Sequence, residues 1–544
     1  ATMDSPSAMM TKSPIRSASS SVWYGSRAPT LQATPARMTT YPTLSHAIDA
    51  HHSRHGPVSV HRLPHTPDAI TPSSTAQIAT DTALTQDAYG HGTHVASVAA
   101  GRGFYQTPDA TGVAPNANIY DVKVLNDLGV GTVSDALEGI NWVLYHAREY
   151  NIRVMNISLA AQSTDSYDGD PLCEAVRMAT SMGITVVVAG GNFGLNTSNQ
   201  EVYGRISAPG NDPSVITVGS VNLHDTVVRD DDTINGFSAR GPTRGATVDI
   251  FGVRHPDNLL KPDLVAPGNR IVATLAEDTV AAGGAWNVLA SRYGTLAQVP
   301  GVAQGQDQAL MMLSGTSVAA PVVAGAVALM LEVNAGLTPP MVKAILQYTA
   351  QAMPGASLAQ QGTGALNIEG AVRLSAAIRN DMYARIQAGG SIAAGESLFW
   401  WSGQTLPNPV STINGDSIPW SRLVTVGGNR VVTGTALFTQ WQPIWDHRLL
   451  WVRDKVRKQV VRNWPGTNWP MAVLEQAAPN TALLTPGVVS MVELAGSSSL
   501  ASQTGLFMPL TRLSGWVGSG RTLGQGIVLS EGIVLSEGIV LSEG

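Results

Sequence analysis

Ser317 stands in Leu313-Ser-Gly-Thr-Ser-Val-Ala-Ala-Pro-Val-Val-Ala-Gly325, a hydroxyl set among small residues at the head of a long apolar run. The pattern is that of a tight turn opening into a buried helix. Gly315 and Thr316 allow the bend, and Pro321 is expected in the first turn, where its missing N–H costs nothing. A hydroxyl at a helix N-terminus meets the positive end of the macrodipole, which favours a nucleophile whose reaction builds negative charge. His91 lies between two glycines in Asp87-Ala-Tyr-Gly-His-Gly-Thr-His-Val-Ala-Ser-Val-Ala-Ala-Gly101. Its imidazole titrates near neutral pH and suits a general base. Asn192 follows the β-branched run Thr185-Val-Val-Val-Ala189 in a Gly-rich loop, where its amide can aim a donor at an oxyanion.

Each signal also has a plainer explanation. His91 and His94, three apart on a helix, could ligate a metal, but no carboxylate set at matching spacing accompanies them. Asn in a Gly-rich loop is commonly a turn former. No charge falls between Ala309 and Leu331, so hydropathy alone would allow a membrane span. Ser314, Gly315, Thr316, Ser317 and Pro321 interrupt that run and point to a helix packed on a sheet.

The motifs together resemble the subtilisin-like serine peptidases, the subtilases. His-Gly-Thr-His, the Gly-Asn loop and Gly-Thr-Ser-Val-Ala-Ala-Pro stand in that family's order. Between them lie Met155-Asn-Ile-Ser-Leu159, Asp212-Pro-Ser-Val-Ile-Thr-Val-Gly219, Phe237-Ser-Ala-Arg-Gly-Pro242 and Lys261-Pro-Asp-Leu-Val-Ala-Pro-Gly268, each similar to a family segment. The likeness is read over roughly Tyr89 to Ala377. It implies a serine endopeptidase working through an acyl-enzyme at Ser317, with His91 as base and Asn192 at the oxyanion. Ser158, Leu159 and Ala160 on one side, and Gly190 and Gly191 on the other, are then the edges flanking the substrate side chain. The resemblance further implies protein or peptide substrates, action outside the cell, no required cofactor and, as in relatives, structural calcium.

One part of the family pattern is absent. No Asp-Ser-Gly or Asp-Thr-Gly precedes His91. Aligning Ile70-Thr-Pro72 with the residues that follow that tripeptide puts Pro67 at the acid position and Asp68 beside it. A one-residue slip along a strand reverses the side chain, so Asp68 serves only if the backbone shifts locally. Asp49 and Asp81 are poorer candidates, and Asp87 is better placed to brace the loop before His91. Residues 1–66 are rich in Ser, Thr, Pro and His, with few apolar runs, and read as poorly ordered or translated out of frame. His51, His52 and His55 lack the cysteines or carboxylates of a metal tract. The rival reading is a subtilase-fold peptide-binding protein without the acid, or a truncated or frameshifted product.

The elements that must position these groups alternate. Ile119–Val124 and Val154–Leu159 read as strands, and Thr132 opens a capping box with Asp135. Leu137, Ile140, Leu144 and Ala147 make one helical face; Leu172, Ala175, Val176 and Ala179 make another, closed by Gly183. Thr338-Pro-Pro caps a further helix. This rhythm specifies an α/β fold, doubly wound on a mostly parallel sheet with helices on both faces and its site at the strands' carboxyl ends. Residues 67–385 form the expected catalytic domain and 386–544 a Trp-rich, β-rich accessory region. In the latter, aromatic platforms could contact carbohydrate or another surface, or belong to the core. Gly-Ile-Val-Leu-Ser-Glu repeats from Gly526. A net charge of −6 gives no basis for nucleic-acid binding. Cys173 stands alone, so no internal disulfide forms, and the first residues lack the basic start and apolar core of a signal peptide.

Overall fold

The computed structural model describes residues 21–25, 59–62, 87–103, 110–278, 285–301, 310–452, 455–463, 470–477, 483–485, 487–490 and 506–513. Asp49, Asp68, Asp81, the histidines 51–55, Trp464, Trp469 and the terminal repeats lie outside them. The main sheet is built from β1 (Ser21–Gly25), β2 (Ser59–Arg62), β3 (Asn118–Lys123), β4 (Ile152–Ile157), β5 (Thr185–Ala189), β6 (Ile216–Asn222) and β7 (Leu264–Pro267). Their order is β7-β6-β5-β4-β1-β3-β2, and Thr233–Ile234 pairs antiparallel with β6. The pairs β4–β5, β5–β6 and β6–β7 are parallel. β1 runs antiparallel to both β3 and β4, and β2 antiparallel to β3, so the sheet is mixed on that side.

Every residue of β4 and β5 is buried, as strands covered on both faces require. Period two divides them. Val154, Val187, Ala189, Ile216 and Val218 pack with Ala319, Val323 and Val327 in one cluster. Met155, Ile157, Val186 and Val188 face the other way, onto Ile140, Leu144, Leu172 and Val176. The first layer is formed by α1 (His91–Ala100), α4 (Thr316–Val333) and α5 (Pro339–Thr349), the second by α2 (Val133–His146) and α3 (Pro171–Ser181).

Local signals set the helix ends. Thr132 and Asp135 form the reciprocal capping box, with Asp135 Oδ2 accepting Thr132 N–H at 2.6 Å. Asp170 Oδ1 accepts the N–H groups of Leu172 and Cys173 at 2.9 and 3.2 Å, and Pro171 occupies the first helical position. Among the described residues α4 alone is long and apolar enough to cross a membrane, and most of it is buried in this core. Its small residues allow close docking: a Cβ on Gly325 would stand 2.6 Å from Val113 Cβ.

Beneath the sheet a buried ionic network joins β7 to α5. Asp263 accepts Lys261 Nζ at 2.7 Å, Lys343 Nζ at 2.8 Å and the Thr217 N–H at 2.8 Å. Burial pushes Lys261 down to about 7, against the opposing pull of Asp263. Described segments beyond residue 385 share the same core. Phe438, Trp441 and Trp445 join the cluster that holds α4 and α5, and Thr338 Oγ1 donates to the Trp445 carbonyl at 2.5 Å. Trp420 is likewise buried, its Nε1 donating to Ser411 Oγ at 2.8 Å. Trp400 and Trp401 are exposed.

This packing makes residues 436–445 part of the hydrophobic centre. Trp445→Ala is expected to cost about 3–5 kcal/mol of unfolding free energy, the usual range for truncating a buried Trp. Urea titration of the full chain reads it as one cooperative transition moved to lower urea. A shift below about 1 kcal/mol would mean that this segment folds apart from the core.

Candidate active site

α1 starts at His91 and α4 at Thr316, and Val95 and Ala99 of α1 pack with Ala319 and Val323 of α4. The docking brings His91 Nε2 to 3.1 Å from Ser317 Oγ, across 226 residues of sequence. Two further side chains fix α1 against the hairpin of β8 (Ile271–Thr274) and β9 (Leu310–Leu313), which leads into the serine. His94 Nε2 donates to the carbonyls of Ile271 and Met311 at 3.0 and 3.1 Å, and Ser97 Oγ bonds Thr274 Oγ1 at 2.9 Å. Those two acceptors fix the protonated nitrogen of His94. At the head of α1, Asp87 Oδ1 accepts Gly90 N–H at 2.8 Å and Oδ2 accepts Thr93 N–H at 2.7 Å. Both oxygens of Asp87 are thereby spent on bracing the helix start.

Ser317 is the second residue of α4 and half-buried. Its N–H belongs to the first turn and has no acceptor within the helix, so it is a donor available at the serine. Pro321 lies one turn later than the sequence pattern led us to expect. At this place its missing N–H is the one that would have bonded the Ser317 carbonyl. Ser158 Oγ takes that position, donating to Ser317 O at 2.7 Å, and Asn156 Nδ2 in turn donates to Ser158 Oγ at 2.9 Å. The proline thus frees a carbonyl by which the end of β4 grips the nucleophile's turn.

Asn192 Oδ1 accepts Thr316 N–H at 2.9 Å and Thr316 Oγ1–H at 3.0 Å. Its Nδ2 donors are therefore turned the other way. A Cβ on Gly315 would stand 2.9 Å from Ser317 Oγ and 3.4 Å from Asn192 Nδ2, so serine and amide face one small volume. Thr316 also accepts Gly191 N–H at 3.1 Å, tying the Asn loop to the serine turn. Of the residues read as substrate edges, Ser158 spends its side chain on Ser317 and Leu159 buries its own in the core. Ala160 is half-buried, and Gly190 and Gly191 are buried beside Asn192.

His91 is 6 % exposed, and burial lowers its pKa to about 4. Its Nδ1 is buried with no hydrogen-bond partner among the described residues. The imidazolium has no facing carboxylate there. Asp121 on β3 is pushed up to about 7 by burial and then by Asp87, and its Oδ1 has no hydrogen-bond partner among the described residues. Asp68 lies outside the described residues. No group of three or more His, Cys, Asp or Glu among the described residues is arranged to hold a metal ion. Sequence reading missed Thr316, the Ser158–Ser317 bond and the Ser317 N–H. Only Pro321, four residues after the serine, signalled the freed carbonyl.

The family model of the subtilases (Peptidase_S8) matches residues 40–369, and the chain belongs to that family. The match starts well upstream of Tyr89, where the motifs alone become legible. Serine protease AprX of Bacillus subtilis (strain 168) is 35% identical over 291 residues, 53% of this chain and 58% of that protein. An alkaline protease of Alkalihalobacillus alcalophilus is 31% identical over 289 residues, 53% of this chain and 56% of its own length. Subtilisin Savinase of Lederbergia lenta is 30% identical over 289 residues, 53% of this chain and 80% of its own length. The chain thus spans little more than half the length of the first two.

His94 and His447 are both lowered to about 4, with burial the leading cause in each. Between pH about 6.5 and 4 the unfolded chain binds protons at these sites and the folded chain does not, so stability falls as pH is lowered through that window. Urea midpoints measured from pH 7 to 4 should decline. His94→Gln, which keeps an amide donor for Ile271 and Met311 and cannot titrate, should flatten the decline. An identical slope in the variant would remove His94 from the cause.

Proposed function

We propose that the protein is a serine endopeptidase that cleaves peptide bonds of proteins. The observation that carries this reading is the 3.1 Å contact of His91 Nε2 with Ser317 Oγ at the head of α4. Ser317 Oγ attacks the scissile carbonyl as its proton passes to His91 Nε2. The carbonyl π electrons move onto oxygen, and Asn192 Nδ2 and the Ser317 N–H meet the charge. Collapse expels the amine, which takes the proton from His91 and leaves Ser317 acylated. Water, deprotonated by His91, then releases the acid. An extended peptide held by the main chain of residues 158–160 and 189–191 as an added strand presents its carbonyl to this pair. The serine proteases named among its relatives favour this enzyme over the rival peptide-binding reading. Action outside the cell follows from kinship alone.

The catalytic acid in this reading comes from the chain upstream of His91, with Asp68, one residue beyond the expected position, as the candidate if the backbone shifts locally. A carboxylate against His91 Nδ1 would hold one tautomer and stabilise the imidazolium, lifting a base that burial alone leaves near 4.

Hydrolysis of a fluorogenic peptide tests the assignment. Ser317→Ala and His91→Ala should each abolish turnover above background. Asn192→Ala should lower kcat by about 10²–10³-fold with KM little changed, the size of loss known for such a donor in a subtilisin. Asp68→Asn should cost up to about 10⁴-fold, and the acid limb of kcat should lie near neutral pH rather than near 4. Full activity in Asp68→Asn removes that residue from the mechanism. An inert, folded wild type overturns the peptidase reading.

A further inference from the structure

Ala246–Val248 and Arg254–Pro256 pair as a short antiparallel hairpin, and its tip carries the two most exposed large apolar side chains among the described residues. Ile250 is 93 % and Phe251 84 % exposed, with Val248 and Val253 at 65 and 52 % beside them. The turn that presents them is firmly built. Asp249 Oδ1 accepts the Phe251 and Val253 N–H groups, each at 2.9 Å, and Asp249 N–H donates to the Val253 carbonyl at 3.0 Å. Gly252 takes φ +79°, and a Cβ there would meet nothing within 4 Å. At the foot, Ala246 exchanges backbone hydrogen bonds with Thr164 and Ser166, at 3.0 and 3.1 Å, on the chain that leaves the proposed cleft edge at 158–160.

Two cations stand behind the tip. Arg254 turns back toward the foot, its guanidinium donating to the Arg244 carbonyl. Burial and then the Arg254 charge lower the pKa of Arg244. Neither guanidinium has an ion-pair partner among the described residues, and Arg244 Nε has no hydrogen-bond partner there. Two nearby acids are already engaged: Asp249 Oδ2 meets His255 Nε2 at 3.0 Å, and Asp257 accepts from Ser166 and Tyr167. Asp165 is exposed beside the foot and can offset one arginine.

We propose that this hairpin docks the protein on a phospholipid bilayer, with Ile250 and Phe251 entering the acyl boundary and Arg244 and Arg254 reaching lipid phosphates. An exposed apolar cluster rimmed by polar groups marks an interaction site. Four side chains are too few for a stable protein partner, since such interfaces bury about 800 Å² per side through roughly 20–30 residues. A bilayer needs no matching surface. Apolar groups sink about 5–10 Å into the boundary between headgroups and acyl chains. Arg254 stands three residues behind Phe251, about 10 Å at the rise of a strand, which leaves its guanidinium at headgroup depth. There it can pair with phosphate through two parallel hydrogen bonds. The drive is apolar, so zwitterionic lipid suffices and the net charge of −6 does not prevent binding. None of this depends on the chemistry at Ser317.

Sedimentation of the full chain with sucrose-loaded phosphatidylcholine vesicles tests the proposal. The wild type should pellet with the vesicles. Ile250→Ser combined with Phe251→Ser should lower the partition constant at least about tenfold, the loss expected when two large apolar side chains leave an apolar phase. Val227→Ser with Val228→Ser removes an exposed apolar pair elsewhere and should leave binding unchanged. Arg244→Gln with Arg254→Gln should weaken it a few-fold. A wild type that stays in solution, or a tip variant that pellets like the wild type, overturns the proposal. So does light scattering that finds a lipid-free dimer which the tip variant abolishes, because the tip then serves a second copy of the chain.

Discussion

Burial of the apolar helix Thr316–Val333 between the sheet and α1 is the constraint on which the site depends. Small residues let it approach Val113 and the backbone of α1 closely, and that approach sets where Ser317 meets His91. Every other catalytic contact is fastened to the first turn of this helix. Thr316 orients the Asn192 amide, Ser158 holds the Ser317 carbonyl, and the Gly315 N–H donates to Gly268 O at 2.8 Å. A proline inside a helix usually costs about 3 kcal/mol. At Pro321 part of that cost is offset, because the carbonyl it frees is paired by Ser158.

Buried polar groups of the core are used to join its elements. His94 pairs Nε2 twice and serves to hold α1 on the β8–β9 hairpin. Asp263 collects two lysines and joins β7 to α5. Burial without a partner does not mark function by itself: His94 Nδ1 and Asn156 Oδ1 are unpaired among the described residues, as is His91 Nδ1. His91 differs in standing against Ser317 Oγ, and in our reading its Nδ1 awaits a carboxylate of the chain.

Much of this was legible in the sequence where local chemistry governs. The capping box at Thr132, the strand Thr185–Ala189 and the start of a helix beside Ser317 follow from residue types at short range. The His and Ser motifs named two of the site's side chains because few other uses explain their small-residue settings. Long-range features were not legible. The Ser158–Ser317 bond spans 159 residues, and nothing in Ser-Leu-Ala announces it. The burial of Trp441 and Trp445 against α4 and α5 depends on tertiary packing, which composition does not reveal. Pro321 was misplaced because the helix begins at Thr316, a boundary that pattern alone leaves loose by several residues.

Trapping the covalent intermediate examines the nucleophile most directly. Rapid acid quench of the chain with an activated ester, followed by peptide mapping, should find the acyl group on Ser317, and none there in His91→Ala. An acyl group on a different residue, or ester turnover with Ser317 unmodified at every time point, would contradict the assignment of that serine.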